Sequence, residues 1–363
     1  MIDPFGGFRR IREFWLSYLD TAFRIRDEAV SDARRKLLRR PGTLATEPYL
    51  EVVPRYRQCE FAIEQVVDLP QESNPLRGLS YEGRRAFAEL VLSGLFPGVP
   101  SGNRAVRWRS PDHVRPYTHQ WAMLERGVTA GSPGIVTSGT GSGKTESFML
   151  PLLAALAEEA VHWPKPKRVL ATEPWFLRGE DFQASRDGED VRRPKAVRAI
   201  LLYPMNALVE DQMARLRRTL DSPDAHAVMD ERFAGNRIFF GRYTGDTPVT
   251  GHLHHPRLAD DPAEMKSLER RKDALRGRLS EMHRDQSIAR EHDAHERERV
   301  DSARSRGEDV PSHEDTRYMF ASYGGGELLS RWDMQASPPD VLVTNTSMLA
   351  TMLVREVEAS IWD

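Results

Sequence analysis

The stretch GIVTSGTGSGKTES, residues 134–147, decides the fold. A short apolar run enters a turn of small residues, and a lysine and a threonine then open an apolar-rich helical pattern. Gly139, Gly141 and Gly143 can take positive φ, which lets the backbone approach a ligand closely. Successive N–H groups of Ser138, Gly139, Thr140, Gly141, Ser142 and Gly143 then point inward as an anion nest. The helix that begins near Lys144 adds the positive end of its dipole. Lys144 is placed to reach the β and γ phosphates of a nucleotide, and Thr145, next to Glu146, to set its hydroxyl on Mg2+. Ser138 stands where the strict pattern G-x-x-x-x-G-K-[ST] has its first glycine. The core G-x-G-K-T is intact, between an expected strand at 134–137 and an expected helix, and this flanking order separates it from an ordinary glycine-rich turn.

Downstream, the same alternation repeats: VRAILLYP then NALVEDQMARLRRTL, next RIFFGRYTG, then PDVLVTN followed by SMLATMLVREVEA. Short apolar runs alternating with amphipathic helices predict an α/β fold, a doubly wound parallel sheet with helices on both faces. Two stretches interrupt it. Residues 172–196 read as a polar surface loop, and 257–316 as a charged helical insertion projecting as an arm. In that insertion Met265, Leu268, Leu275, Leu279 and Met282 recur near coiled-coil spacing. Upstream, residues 1–105 read as a helical N-terminal accessory domain, with breaks at Pro41-Gly42 and at FPGVPSG. Residues 106–363 read as the α/β domain.

Composition narrows the class. The 363 residues carry a net charge of −2, so no global basic field marks a polyanion partner, though one face can still be basic. The single cysteine, Cys59, excludes a disulfide within the chain and a zinc site built on several cysteines. The apolar run at 14–19 is too short for a signal sequence, and no stretch is long enough to span a bilayer. A cytoplasmic protein without a membrane partner is expected.

The segments around the cradle add candidates. In RPYTHQ, the Gln120 amide can donate and accept at once, matching the N6 and N7 edge of adenine, and Tyr117 or Arg115 can stack on the base. In YPMNALVEDQ, Pro204 stops a strand and Asn206 is a good N-cap for the next helix, which would open toward a nucleic-acid backbone. YTGDTP places Thr244 and Gly245 in a tight turn, and PPDVLVTNTSML ends a strand at Thr344 and Asn345.

This ordered set resembles the first RecA-like domain of superfamily 2 helicases, the DEAD/DEAH-box group, over roughly residues 111–355. Its wording is most similar to large bacterial DNA helicases of the YprA/Lhr-like branch, some of which serve in DNA repair and others in anti-phage defence. A small residue in place of the first glycine, as at Ser138, is common there. The resemblance implies that Gln120 reads adenine and that Gly141, Gly143, Lys144 and Thr145 hold ATP and Mg2+. It also implies that Pro204, Asn206, Thr244, Gly245, Thr344 and Asn345 line a single-strand track, with DNA favoured over RNA as partner. The usual Thr-Arg after the proline is Met205-Asn206 here, which puts an amide or backbone contact in place of an arginine one.

The family also needs an Asp-Glu pair after a further strand, the Asp for the Mg2+ shell and the Glu to orient the attacking water. It should follow the PPDVLVTN strand and its helix, and the sequence reaches Asp363 first. Asp230-Glu231 falls at the wrong place in the order, and Asp27-Glu28 lies in the helical N-terminal region. The α/β domain is therefore expected to be incomplete at its C-terminal side. A second motor half would lie on the same or another chain, and these residues alone are expected to bind ATP weakly and turn over little. The rival reading is a non-catalytic, ATP-gated nucleic-acid-binding subunit completed by a partner. A kinase or small-molecule transferase leaves YTGDTP and PPDVLVTN unexplained.

Overall fold

The computed structural model describes residues 4–46, 55–96, 114–139, 141–167, 174–258, 260–308 and 315–362. The chain divides into two compact units, Met1–Arg55 and Tyr56–Asp363. The division falls well before the boundary expected near residue 105. The reason is burial: Phe87, Leu90 and Val91 of the helix Tyr81–Gly94 share one hydrophobic core with Met149, Leu153 and Leu156.

The first unit is a helix pair, Pro4–Ala22 and Glu28–Leu38. Asp27 caps the second helix by accepting from the Val30 amide at 3.0 Å, the role expected of an aspartate at that position. Asp20 joins the helices through Arg34 and Arg35, each at 2.7 Å.

The second unit is built on a four-stranded sheet. Strands β1 (Ala199–Tyr203), β2 (Phe240–Tyr243), β3 (Glu327–Leu328) and β4 (Val341–Asn345) run in the order β1-β4-β2-β3, all parallel. Side chains alternate between the two faces of a strand, and here each face meets its own core. Phe240, Val341 and Val343 join the helices Lys144–Ala160 and Asn206–Leu220 on one side. Tyr243 and Leu342 join Met334, Met352 and Ile361 on the other. A parallel sheet covered on both faces is the expected RecA-like doubly wound arrangement.

Three expectations need correction. Residues 134–137 form no strand: they lie as extended coil along the helix Thr118–Val128, where Arg126 donates to the Pro133 carbonyl at 2.6 Å. Among the described residues β1 is accordingly an edge, with β4 as its neighbour. Its Ile200 and Leu202 are 41% and 47% exposed, and Ile135 is 89% exposed. Apolar side chains on both margins of an open edge are what a strand leaves when its partner is missing.

The polar stretch before β1 is not a surface loop. Arg186 and Arg193 are fully buried, and Arg193 donates to Asp340 at 2.7 Å, just ahead of β4. Arg193 also lies over the Trp163 ring, 3.5 Å from its centroid. Polar composition misled because paired guanidiniums can be buried where isolated ones cannot.

The charged insertion contains one 44-residue helix, Pro262–Ser305. It is docked along the unit rather than projecting. Leu275 and Leu279 bury against Trp175, Phe176 and Trp332, while Met265 stays exposed. Further along, Asp293 accepts from the Thr316 and Arg317 amides at 3.0 and 2.7 Å.

Candidate nucleotide and nucleic-acid site

Of the three glycines expected to take positive φ, two do so and Gly139 does not. Gly141 and Gly143 sit at φ +74° and +75°, in the left-handed region. Gly143 is the N-cap of the helix Lys144–Ala160, so the helix opens from a residue that L side chains rarely tolerate there. A Cβ at Gly143 would also collide with Gln120 Nε2. Thr140 lies outside the described residues.

Lys144 folds back over the loop. Its Nζ donates to the Ser138 carbonyl at 2.6 Å and to the Gly139 carbonyl at 3.1 Å. The exposed ammonium is thus held by two carbonyls of its own loop. Ser138 and Ser142 share a hydroxyl contact of 2.6 Å across the turn. Thr145, at the second position of the helix, is partly exposed. The donor set fits a nucleotide triphosphate with Mg2+: an ammonium, a hydroxyl and amides at a helix N-terminus.

Gln120 is buried and engaged at both ends of its amide. Oε1 accepts from the Tyr117 amide at 2.7 Å, and Nε2 donates to the Gly143 carbonyl at 3.0 Å. It thus ties the helix Thr118–Val128 to the phosphate loop and leaves one N–H and one lone pair for a ligand. Two contributors were missed by sequence reasoning. His119 Nε2 lies 2.8 Å from the Ser142 carbonyl. Tyr56 accepts from the Gly139 amide at 3.1 Å through its hydroxyl. Tyr56, Tyr117 and His119 form an aromatic cluster, with Tyr117 stacked on His119 at 5.6 Å. Tyr56 lies far upstream of the loop, and nothing in its local sequence marks it. Beside the cluster a groove of about 770 Å³ runs between the helix Thr118–Val128 and residues 132–138, lined by His119, Met123, Arg126, Ile135 and Ser138 among others.

Glu146 connects the loop to the next segment. It is buried and pairs with Arg215 of the helix Asn206–Leu220 at 3.1 Å. Tyr203, at the end of β1, donates to Gln212 of that helix at 2.9 Å, and burial pushes its phenol up to about 12.

The parallel register collects the remaining candidates at one end of the sheet, since Tyr203 pairs with Asn345 and Tyr243 with Thr344. There Asn345 Nδ2 donates to Asn206 Oδ1 at 2.8 Å. Asn206 is the first helical residue rather than the cap, which is Met205 and makes no side-chain cap bond; Asn345 caps its own helix, Thr346–Met352, accepting from Met348 N at 2.8 Å. Pro204, Asn206 and Gly245 are exposed. Thr244 and Thr344 are buried: the Thr344 hydroxyl donates to the Tyr243 carbonyl at 2.6 Å, and the Thr244 hydroxyl accepts from the Asp246 amide at 3.3 Å. These two threonines hold the turn from within and present no side chain outward.

The carboxylate pair Asp230-Glu231 sits on the helix Pro223–Arg232, where Asp230 meets Arg237 at 2.7 Å and Glu231 meets Arg232 at 2.8 Å, both partly in solvent. Among the described residues, no helix is long and apolar enough to cross a membrane, and no group of three or more His, Cys, Asp or Glu side chains is arranged to hold a metal.

A glycine turn at a helix N-terminus, a glutamine tied to it, and strand ends gathered beside it define a class of protein. Residues 117–237 match the DEAD/DEAH box helicase family, and this segment is a DEAD/DEAH box helicase domain. Over 357 residues, 95% of its length, the chain is 31% identical to the Druantia protein DruE of Escherichia coli strain UMEA 4076-1. It spans 16% of the length of that relative. No solved structure matches it.

Proposed function

We propose that this chain is the nucleotide-holding part of an ATP-dependent DNA translocase, with phage defence or DNA repair as its setting. The observation that carries the reading is the Gly143–Lys144 junction, where a left-handed glycine opens a 17-residue helix beneath a lysine bound to its own loop. Lys144 and the loop amides would hold the β and γ phosphates, and Thr145 would carry Mg2+. The ion would neutralise charge on the transferring phosphoryl group. Gln120, fixed from two sides, would present its remaining N–H and lone pair to the adenine edge. Pro204, Asn206, Gly245 and Asn345 would lie under a nucleic-acid strand, held through phosphates rather than bases.

The carboxylate pair belongs, in this reading, on a further strand that completes the sheet at the β1 edge. Such a strand would cover Ile200 and Leu202 and bring 134–137 into the ladder. The pair would then stand at the same end of the sheet as Lys144.

The reading is tested with the full-length protein by DNA-stimulated ATP hydrolysis. The expected result is turnover that Lys144→Ala abolishes and that falls steeply with salt. Turnover unaffected by Lys144→Ala would refute it. Nucleotide-dependent DNA binding without any turnover would favour the non-catalytic gated subunit.

A further inference from the structure

The helix Pro4–Ala22 carries a face that its own unit does not use. Ile11, Phe14, Trp15 and Tyr18 recur at i, i+3, i+4 and i+7, which places them in one stripe. They are 60%, 72%, 55% and 57% exposed. The other side of the helix does the packing. Leu16 is buried there, Asp20 pairs with Arg34 and Arg35, and Glu13 meets Arg39 at 3.0 Å. The acidic side chains of this helix are therefore turned to the neighbouring helix, and the aromatic rings are turned away from it.

Charge indicates what covers the rings. Residues 4–46 hold ten Lys and Arg against five Asp and Glu, in a chain whose net charge is −2. At 100° per residue, Arg10 and Arg12 flank the stripe on opposite margins. Among the described residues neither forms an ion pair, and the Nε of Arg12, itself buried, has no hydrogen-bond partner. Trp15 and Tyr18 stand edge to face with centroids 5.7 Å apart, which leaves ring faces open. A second copy would bring the same arginines together. An apolar protein groove would take the rings and leave the cations unanswered.

We propose that this helix is a platform for single-stranded nucleic acid, with bases stacked on Phe14, Trp15 and Tyr18 and phosphates held by Arg10 and Arg12. It lies outside the helicase segment and would hold a strand whether or not nucleotide is bound. The proposal rests on the reading that this protein handles nucleic acid.

The test is anisotropy titration of a fluorescein-labelled oligothymidylate with the 363-residue chain at two salt concentrations, with ATP-analogue binding measured in parallel. The variants are Trp15→Ala/Tyr18→Ala, Trp15→Leu/Tyr18→Leu and Arg10→Gln/Arg12→Gln, each checked by circular dichroism. Both ring-removing variants should weaken binding about tenfold or more, since leucine keeps apolar area but offers no stacking face. The arginine variant should lower the log–log salt slope by about one to two. Nucleotide binding should not change. If the parent binds and the leucine variant binds equally well, stacking is refuted while the translocase reading stands. If the parent binds no oligothymidylate, the platform is refuted, and the parallel nucleotide titration shows whether the translocase reading falls with it. Ring-dependent binding to phosphatidylserine vesicles or to a purified protein partner, without ring-dependent DNA binding, would also refute it.

Discussion

Gln120 spans the gap between two elements: its Oε1 takes the Tyr117 amide at 2.7 Å and its Nε2 reaches the Gly143 carbonyl at 3.0 Å. One buried side chain thus sets the distance from the start of the helix Thr118–Val128 to the cap of the phosphate-loop helix. Gln120→Ala removes both bonds: the partly buried Tyr117 amide loses this acceptor, at a cost of about 1–3 kcal/mol, while the Gly143 carbonyl keeps the Ser147 amide and hydroxyl as donors. Gly143→Ala adds a Cβ against Gln120 Nε2 at φ +75°, a conformation costing about 1–2 kcal/mol for an L residue. Both variants should weaken nucleotide binding about tenfold or more by titration. Parent-like affinity in Gly143→Ala would show that the loop conformation is not needed.

Asp340 accepts from buried Arg193 at 2.7 Å, from Arg198 at 2.8 Å and from the Phe239 amide at 2.7 Å. It joins the segment before β1 to the starts of β2 and β4. Asp340→Ala leaves the buried Arg186 and Arg193 with Glu189 as their shared carboxylate, and removing one partner of a buried charge network costs about 3–5 kcal/mol. Urea denaturation should show a loss of that size, about ten times the effect of a neutral surface change. A loss below about 1 kcal/mol would mean that the stretch is a surface loop after all.

The long helix offers a paired comparison. Leu279→Ala should cost about 2–5 kcal/mol, because the side chain is buried in the cluster with Trp332. Glu281→Ala, on the exposed side, should stay within about 0.5 kcal/mol. Equal small effects would restore the projecting arm.

Glu159 gives a pH dependence with a definite sign. Burial acts to raise its carboxyl, but hydrogen bonds from Arg198 at 2.7 Å and Trp163 at 3.1 Å outweigh it, and the group lies below its ordinary 4.5. A depressed folded-state value contributes stability that is present above the unfolded value and lost as pH falls through the folded one. Glu159→Gln should therefore lower stability at neutral pH and lose less than the parent between about pH 5 and about pH 3. Parallel curves for the two proteins would contradict the pairing.

Much of this was legible in the sequence, for physical reasons that differ by element. β4 was readable because a strand covered on both faces is a nearly continuous apolar run, VLVTN, and β1 because AILLY is such a run too, although Ile200 and Leu202 stay exposed. The phosphate loop was readable because few residues tolerate its dihedrals. The strand at 134–137 was not, because a ladder depends on a partner and not on the run itself. Arg186 and Arg193 looked like surface residues because their local partner Glu189 reads as an ordinary surface pair, while Asp340, which buries with them, is remote in sequence. Thr244 and Thr344 were assigned outward by position, whereas their hydroxyls close internal bonds. Tyr56 was invisible because only folding brings it to Gly139.

The most direct test of the account is equilibrium binding of a fluorescent ATP analogue to the 363-residue chain with and without Mg2+, in the parent and in Lys144→Ala. The account requires Mg2+-dependent binding that Lys144→Ala reduces by at least about a hundredfold, in line with losing a charge-assisted contact to phosphate. Binding that survives in Lys144→Ala, or that is absent from the parent, would contradict it.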